Sequence, residues 1–254
     1  MKKTLLSVCA LFLAVVASAQ TADEIIDKHI KALGGLEKLK AVQSMKMTGK
    51  MKAGPMEFPA TMVKARPELF RMDFTVQGMT GTQAYDGTTG WSVMPFMGKK
   101  DPETMNEDMQ KSMKEEADFD GPLIDYKSKG NKVEYVGKEE VQGSPAYKLH
   151  LTTKSGTESN LYIDADTYLL IKSESKRKIQ GQEVESETII GDYKEVGGLM
   201  FPHSMEMRRK GAPAGASQAI VVEKYELNTK VDAAQFKMPE VKKEEPKAEP
   251  KKAQ

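Results

Sequence analysis

The sequence predicts a mainly β domain with flanking helices (α+β), in which an antiparallel meander of about eleven strands curls into a barrel or half-barrel. The first observation is strict alternation of apolar and polar residues over many short segments. The second is the glycine- and proline-rich turn chemistry between those segments. The third is that helical spacing occurs only at the start and in the middle. The helices are therefore expected to cover one opening of the barrel.

The first helix is predicted to begin at Thr21, because Glu24 follows three residues later in the pattern of a capping box. Gly34-Gly35 is expected to end this helix. An apolar stripe at helical spacing lies between these signals: Ile25, Ile26, Ile30 and Leu33. This stripe requires an apolar partner, for which the adjacent sheet is the candidate.

The next stretch, from Met45 to Met113, contains 12 of the 17 methionines. Alternation in a strand places every second side chain on one face, so its apolar members should form one wall of the sheet. We predict that this wall is a ligand-binding surface formed by Met45, Met47, Met51, Phe58, Met62, Phe70, Met72, Phe74, Trp91 and Met94. The period then changes, and Met105, Met109 and Met113 are spaced four apart as on one face of a helix. This helix is predicted to be a lid over the wall.

The methionine pattern has two interpretations. Apolar alternation is found in any packed core. However, methionine occurs here where Val or Ile would give better β-propensity and sharper packing. Thioether side chains are flexible and polarisable, which suits a surface that adapts to variable apolar partners. We therefore favour a ligand surface over a core that serves packing alone.

Hairpin signals continue along the chain, and the repeated turns show no linker, so residues 20–240 are predicted to form a single domain. Asp86-Gly87-Thr88-Thr89-Gly90 precedes Trp91, and Gly78 to Gly81 is expected to be a turn with Met79 at its tip. Asp164 and Asp166 are interpreted as turn residues.

Both ends of the chain differ from this domain. Residues 1–19 have the pattern of a signal peptide, with Lys2 and Lys3 before an apolar core and a cleavage site after Ala19. The protein is therefore expected in the periplasm. Residues 241–254 are charged and lack aromatic residues, which predicts a disordered tail.

The sequence contains no recognisable catalytic or metal-binding motif. The single cysteine lies in the predicted signal peptide, which excludes disulfides and thiolate catalysis in the mature chain. The 38 basic and 37 acidic residues are balanced and predict no affinity for nucleic acid. His29 is expected to be exposed, His150 to lie on a polar face and His203 to face inward. No cofactor, metal ion or membrane span is predicted, and an enzyme is the weaker class.

The chain resembles the LolA/LolB-like superfamily of periplasmic outer-membrane lipoprotein-sorting proteins. The motifs that carry this resemblance are Ala32-Leu33-Gly34-Gly35, the strands over 45–76, Ala84-Tyr85-Asp86-Gly87 with Gly90-Trp91, Leu161-Tyr162-Ile163-Asp164, Gly191-Asp192-Tyr193-Lys194 with Gly198-Leu199-Met200-Phe201-Pro202, and Phe236-Lys237-Met238-Pro239. The resemblance implies an eleven-stranded unclosed barrel with a helical lid and a hydrophobic cavity for acyl chains. It also implies that a strand arginine holds the lid, for which Arg66 and Arg71 are the candidates.

The leading functional hypothesis is a soluble periplasmic carrier, expected to be a monomer, that binds the acyl chains of lipoproteins or other lipids. Envelope proteins that release or accept lipoproteins are its expected partners. An envelope-stress sensor or protein-binding module on the same fold is the alternative. A hydrolase using His203 is the third hypothesis.

Overall fold

The computed structural model describes residues 21–179, 181–213 and 215–240. The predicted signal peptide (1–19) and charged tail (241–254) lie outside these residues and stay predictions. The described α-helices are α1 (Ala22–Ala32), α2 (Leu36–Ala41) and α3 (Glu107–Ala117), and short 3-10 helices span Pro95–Met97 and Ala233–Phe236. The strands are β1 (Ser44–Ala53), β2 (Met56–Ala65), β3 (Leu69–Val76), β4 (Met79–Tyr85), β5 (Gly90–Met94), β6 (Lys99–Thr104), β7 (Lys132–Val141), β8 (Ser144–Thr152), β9 (Glu158–Asp164), β10 (Leu170–Ile179), β11 (Gln182–Val196), β12 (Leu199–Arg209) and β13 (Gln218–Leu227).

The thirteen described strands form one antiparallel sheet in the order β6-β5-β4-β3-β2-β1-β13-β12-β11-β10-β9-β8-β7. Neighbouring strands are joined mostly as hairpins, and within the described chain the edge strands β6 and β7 do not pair with each other. The sheet is therefore unclosed, which confirms the predicted fold class. The strand number is higher than expected, partly because β6 (KKDPET) has no apolar alternation that could have predicted it.

Both long helices pack on the same face of the sheet, which we call the inner face. Helix α1 covers one half, where Ile25 and Ile26 pack among residues of β8 and β9 such as Leu149 and Ile163. Helix α3 covers the other half, above β3 and β4. The predicted capping box at α1 is present, since the Thr21 side chain accepts from Glu24 N at 3.2 Å and the Glu24 carboxylate accepts in return.

The close packing at the junction between α1 and α2 requires a glycine at position 34. Gly34 has a φ of +116°, and a Cβ there would lie 2.4 Å from the carbonyl oxygen of Gly198. The Met200 amide also donates to the Leu33 carbonyl at 3.0 Å. Two of the motifs that carry the family resemblance therefore contact each other, and their role is to bring α1 against β12.

Among the described residues, no helix is both long and apolar enough to cross a bilayer.

Candidate functional site

The strand register places the predicted methionine wall on the inner face. Met47 of β1 lies opposite Met62 of β2, and Met62 lies opposite Met72 of β3. Met45 joins Met47 in a cluster with Tyr225 of β13. Side chains directly opposite each other on one face are in contact, so these methionines form a continuous surface across three strands.

The helix α3 packs on this surface with the predicted methionine stripe. Met105, just before the helix, and Met113 are buried against Phe70 and Tyr85 of β3 and β4. Met109 packs on the same cluster but keeps part of its side chain exposed, as do Met62 and Met72. The helix begins after Asn106, whose side chain accepts from the Met109 amide at 3.0 Å. The predicted lid residues therefore face the predicted wall.

A glutamine fixes the distance between α3 and the sheet. Gln110 Oε1 accepts from the Gly90 amide at 2.6 Å, and Gln110 Nε2 donates to the Gly90 carbonyl at 3.1 Å. A Cβ at Gly90 would lie 3.0 Å from Gln110 Oε1 and 3.3 Å from Met105 Sδ. Glycine at the start of β5 therefore permits the close approach of the helix. Sequence reasoning missed Gln110, because a polar residue on a helix carries no motif.

The segment after α3 is held by Arg66, at the end of β2. Its guanidinium donates to both oxygens of Asp120, at 2.6 and 3.0 Å, and to the carbonyls of Leu39 and Val42. Lys40 also donates to Asp120, at 2.6 Å. Burial of Asp120 opposes its ionisation, but the hydrogen bonds from Arg66 and Lys40 outweigh this and lower its pKa to about 2.

The second arginine, Arg71, lies on the opposite, outer face. It pairs with Asp73 at 2.8 Å and donates to the Gln235 carbonyl at 2.6 Å. Arg66 is therefore the one of the two candidate arginines that contacts the segment next to the lid helix.

Trp91 also lies on the outer face, so its assignment to the ligand wall was wrong. It is opposite Ala84, one residue out of step with Tyr85, and its Nε1 donates to the Phe236 carbonyl at 2.7 Å. The side chain is 1% exposed because the C-terminal segment covers it. Alternation restarts after each turn, so the face of Trp91 depends on its pairing with β4.

The remaining wall residues lie beyond α3, at the open end of the inner face. The Phe58 and Phe74 rings are 6.2 Å apart, and Phe74 is 5.6 Å from Phe96. Met51, opposite Phe58, and Met94 are half-buried. The predicted turn tip at Met79 is displaced, since Gln77 and Gly78 form the turn with positive φ values and Met79 begins β4. This end of the sheet therefore leaves apolar surface uncovered by the lid.

Two clefts lined mainly by polar residues lie along α3. One of about 640 Å³ runs along α3 and is lined by Glu115 of the helix and by Leu151 and Arg177 of the sheet. A neighbouring cleft of about 400 Å³ is lined by Lys111, Ser112 and Arg177. In the part of the chain described here, neither cleft is lined by a wall or lid methionine, and these methionines pack together in one cluster instead.

Each of the three histidines contacts another residue of the fold. His29 is buried rather than exposed as predicted, because its Nδ1 donates to the Tyr168 carbonyl at 2.7 Å and the loop covers it. Burial lowers its pKa. His203 faces inward and its ring lies 5.2 Å from Tyr225. His150 contacts Asn160 at 3.0 Å.

The aspartate turn is as predicted. Asp164 accepts from the amides of Asp166 and Thr167, at 3.2 and 2.7 Å, and from the Thr167 hydroxyl. Within the described residues, no cluster of His, Cys, Asp and Glu has the geometry of a metal site.

A family model and several solved structures are similar to this chain. The model of a family described as an uncharacterized protein matches residues 82–243. A LolA superfamily protein from Nitrosomonas europaea is similar in structure, with a TM-score of 0.58 and 13% identity over 86% of this chain and 98% of the other. A DUF1329 family protein from Desulfovibrio piger has a TM-score of 0.56 and 14% identity over 85% and 96% of the two chains.

A third similar structure is a domain from Vibrio parahaemolyticus assigned as an outer membrane lipoprotein-sorting protein. Its TM-score is 0.54, with 12% identity over 84% of this chain and 94% of that domain. No curated protein matches the chain by sequence.

Proposed function

This chain belongs to the family whose model spans residues 82–243 and has the fold of the LolA superfamily, and we propose that it is a non-enzymatic periplasmic carrier of acyl chains. The chains of lipoproteins or other lipids bind between the methionine wall and α3. The observation that carries the proposal is that Met62 and Met72 of the wall and Met109 of α3 pack on one shared cluster while all three side chains remain partly exposed. Flexible thioethers in such an interface can move apart and repack around a linear hydrocarbon.

Binding requires α3 to give up its own apolar contacts with the sheet. An acyl chain that replaces the helix methionines contributes about 0.8 kcal/mol for each methylene removed from water. A chain of ordinary length therefore offsets the loss of a few half-buried methionine contacts. The residues at the open end, Phe58, Phe74 and Met51, extend the apolar path beyond the helix.

Arg66 and Asp120 supply the latch of the closed state. The bidentate pair joins the end of β2 to the loop that follows α3, and Arg66 also binds two carbonyls near the end of α2. Charge-assisted, bidentate hydrogen bonds are directional and have a definite closed geometry. Movement of α3 toward an open state therefore requires this segment to swing or the latch to release.

The cellular role follows from the same proposal. The targeting sequence predicted at residues 1–19 delivers the carrier to the periplasm, where it sorts lipoproteins to the outer membrane. Envelope proteins that release and accept the lipid are its partners. The lipoprotein-sorting domain from Vibrio parahaemolyticus, which has a similar fold, supports this choice of cargo.

The direct test is native mass spectrometry of the protein purified from its own periplasm. We expect a co-purifying lipid that is lost after delipidation and regained from fluorescent fatty acid. A protein that is consistently empty and takes up no fatty acid contradicts the proposal.

A substitution in the lid tests the site itself. Met109→Asp places a charge against the methionine cluster and should abolish fatty-acid uptake while the fold is retained, because Met109 is only partly buried. Met238→Asp is the matched control, since Met238 is 41% exposed and contacts Thr104, which pairs with Trp91 on the outer face. Unchanged uptake by the Met109 variant removes α3 from the site.

A protein-binding module is the second candidate, favoured by the exposed methionines at the open end. Met56 pairs with Ala53, Ala53 with Gln218, and Gln218 with Met207, so Met56 and Met207 lie in one row across the sheet. They are 53% and 42% exposed. Specific capture of one envelope protein by lipid-free carrier, lost in Met56→Asp, favours this candidate over the first.

A further inference from the structure

Arg177 is a cation on the inner face of the sheet. It lies in β10 opposite Val184, two residues beyond Ser175 and four beyond Ser173. Ser173 is in turn opposite Leu161, which belongs to the core under α1. Side chains two apart in a strand share a face, so Arg177 lies on the face that carries the helices.

Within the described residues, Arg177 forms no ion pair and no hydrogen bond. Its Nε is shielded from solvent and has no hydrogen-bond partner. Shielding a hydrogen-bond donor that has no partner opposes folding, and such donors in native proteins usually mark a ligand, an ion or a water. By contrast, Arg208 on the outer face pairs with Glu187 at 2.7 Å. Among the described residues, the inner-face arginine therefore has a shielded donor with no partner, in contrast to the paired Arg208.

The carboxylates of α3 and its following loop have other partners. Arg177 lines both the cleft of about 640 Å³ and the adjacent cleft of about 400 Å³. Glu115 of α3 accepts from Thr153 at 2.9 Å and from Ser155. Asp118 pairs with Lys129 at 2.5 Å.

Two further carboxylates near the clefts are also engaged. Glu116 pairs with Lys64 at 3.1 Å, and Asp108 accepts from the Gly181 amide at 3.1 Å. Within the described chain, Glu158 and Glu183 also line the smaller cleft, where Glu183 pairs with Lys176, and neither contacts Arg177. An external oxyanion is therefore the candidate partner for Arg177.

The two clefts and the proposed acyl site both border helix α3. Met109 and Met113 of α3 contact the methionine wall, whereas Lys111 and Glu115 line the clefts that reach Arg177. The helix thus has an apolar contact on one side and a polar cleft on the other. An amphipathic molecule with its chain under α3 can place its head group in the cleft.

We propose that Arg177 binds the oxyanion head group of the carried molecule, so that the ligand is an anionic lipid bearing a phosphate or carboxylate. This inference rests on the proposed carrier function. A planar guanidinium matches the geometry of both oxyanions and donates two parallel hydrogen bonds. Ser159 and Thr157, which line the larger cleft with Arg177, supply additional donors.

The test compares an anionic and a neutral lipid of equal chain length. Lysophosphatidic acid and the matching fatty alcohol displace the neutral fluorescent probe N-phenylnaphthylamine from the wild type, Arg177→Met and Arg208→Met. We expect Arg177→Met to weaken the binding of lysophosphatidic acid about 10- to 100-fold, as for loss of a charged hydrogen bond. The affinity for the alcohol should change by less than about twofold, and Arg208→Met should change neither.

A structural role for Arg177 predicts different results. Thermal unfolding of lipid-free Arg177→Met should give a Tm equal to or above that of the wild type, because an uncompensated charge is removed. A Tm below that of the wild type, or an equal loss of affinity for both lipids, overturns the head-group site.

Two further results separate this inference from the function on which it rests. Equal binding of both lipids by the wild type overturns the head-group site and retains the carrier, whereas no binding of probe or lipid overturns both. Inorganic phosphate is titrated by calorimetry as the third arm. Phosphate binding that depends on Arg177, without any preference for lysophosphatidic acid, identifies a free-anion site and overturns the head-group assignment.

Discussion

The two halves of the inner face each carry a helix, but the two helices are packed with different chemistry. Under α1, Ile25 is 0% and Ile26 is 3% exposed, and their neighbours are branched aliphatic residues such as Leu149 and Ile163. Under α3 the contacts are methionines, of which Met109 remains partly exposed. Branched side chains have few rotamers and specify one arrangement, whereas thioethers accept many. Helix α1 is therefore a fixed part of the core, and α3 is suited to detach.

The polar contacts of the two helices differ as well. His29 of α1 donates to the Tyr168 carbonyl from a buried position. Helix α3 is held by half-buried Gln110 on Gly90 and by pairs at its rim, such as Glu116 with Lys64. Contacts at a rim exchange with water at a small net cost. Separating α3 from the sheet is therefore less costly than separating α1.

The largest expected effect is on the fixed helix. Ile25→Ala should lower the free energy of unfolding by about 2–5 kcal/mol, because it leaves a cavity in a closed core. Met109→Ala should lower it by only about 1 kcal/mol, since part of that side chain is already in water. Urea titration measures both changes, and fatty-acid uptake should fall only in the Met109 variant. Equal losses of stability contradict the distinction between the two helices.

The next largest effect on the free energy of unfolding concerns the latch formed by Arg66 and Asp120, and it depends on pH. Asp120→Asn should lower the free energy of unfolding by about 1.5–3 kcal/mol near neutral pH, as for a charged hydrogen bond. The folded pKa of Asp120 is about 2, below its ordinary 3.8, so this contribution is complete above about pH 4 and is lost as the pH falls toward 2.

Urea titrations of the wild type and Asp120→Asn at neutral pH and near pH 2 measure this loss. The difference between them should become small at the acidic end, where about half of Asp120 is protonated in the folded protein. Asp23→Asn, which weakens the exposed contacts of Asp23 with Lys127 and Tyr126, is the control and should cost less than Asp120→Asn. A difference for Asp120→Asn that is independent of pH contradicts the role of the ionised carboxylate.

The smallest effect concerns the spacing of α3. Gln110→Ala removes the hydrogen bonds to both backbone groups of Gly90 and should cost about 1 kcal/mol. Hydrogen exchange of the α3 amides should become faster while exchange in α1 is unchanged. Gln218→Ala, on an exposed position of β13, serves as the control. Faster exchange in both helices shows that Gln110 stabilises the whole domain instead of the lid.

Local periodicity predicted the parts of the site that depend on a single element. Alternation placed Met47, Met62 and Met72 on one face, and four-residue spacing placed Met109 and Met113 toward them. The capping box at Thr21 was also predicted, because all of its atoms lie within one turn of helix.

The features that sequence could not supply depend on contacts between distant segments. The face of Trp91 is set by pairing with β4 and by the cover from Phe236. His29 is buried by the loop at Tyr168, 139 residues away. Arg177 carries no motif, and the unpartnered Nε that it has among the described residues becomes visible only once the register of β10 and the position of α3 are known.

The pairing of β1 with β13 also constrains how the chain folds. These strands are the first and last of the sheet in sequence, yet they are neighbours at its centre, with Met45 opposite Leu227. Until β13 has been delivered, β1 and β12 present unpaired backbone groups that attract other strands. Contacts of such long sequence separation form slowly. The two halves of the sheet can therefore join only after nearly the whole chain is available, and the central edges must be kept from aggregation until then.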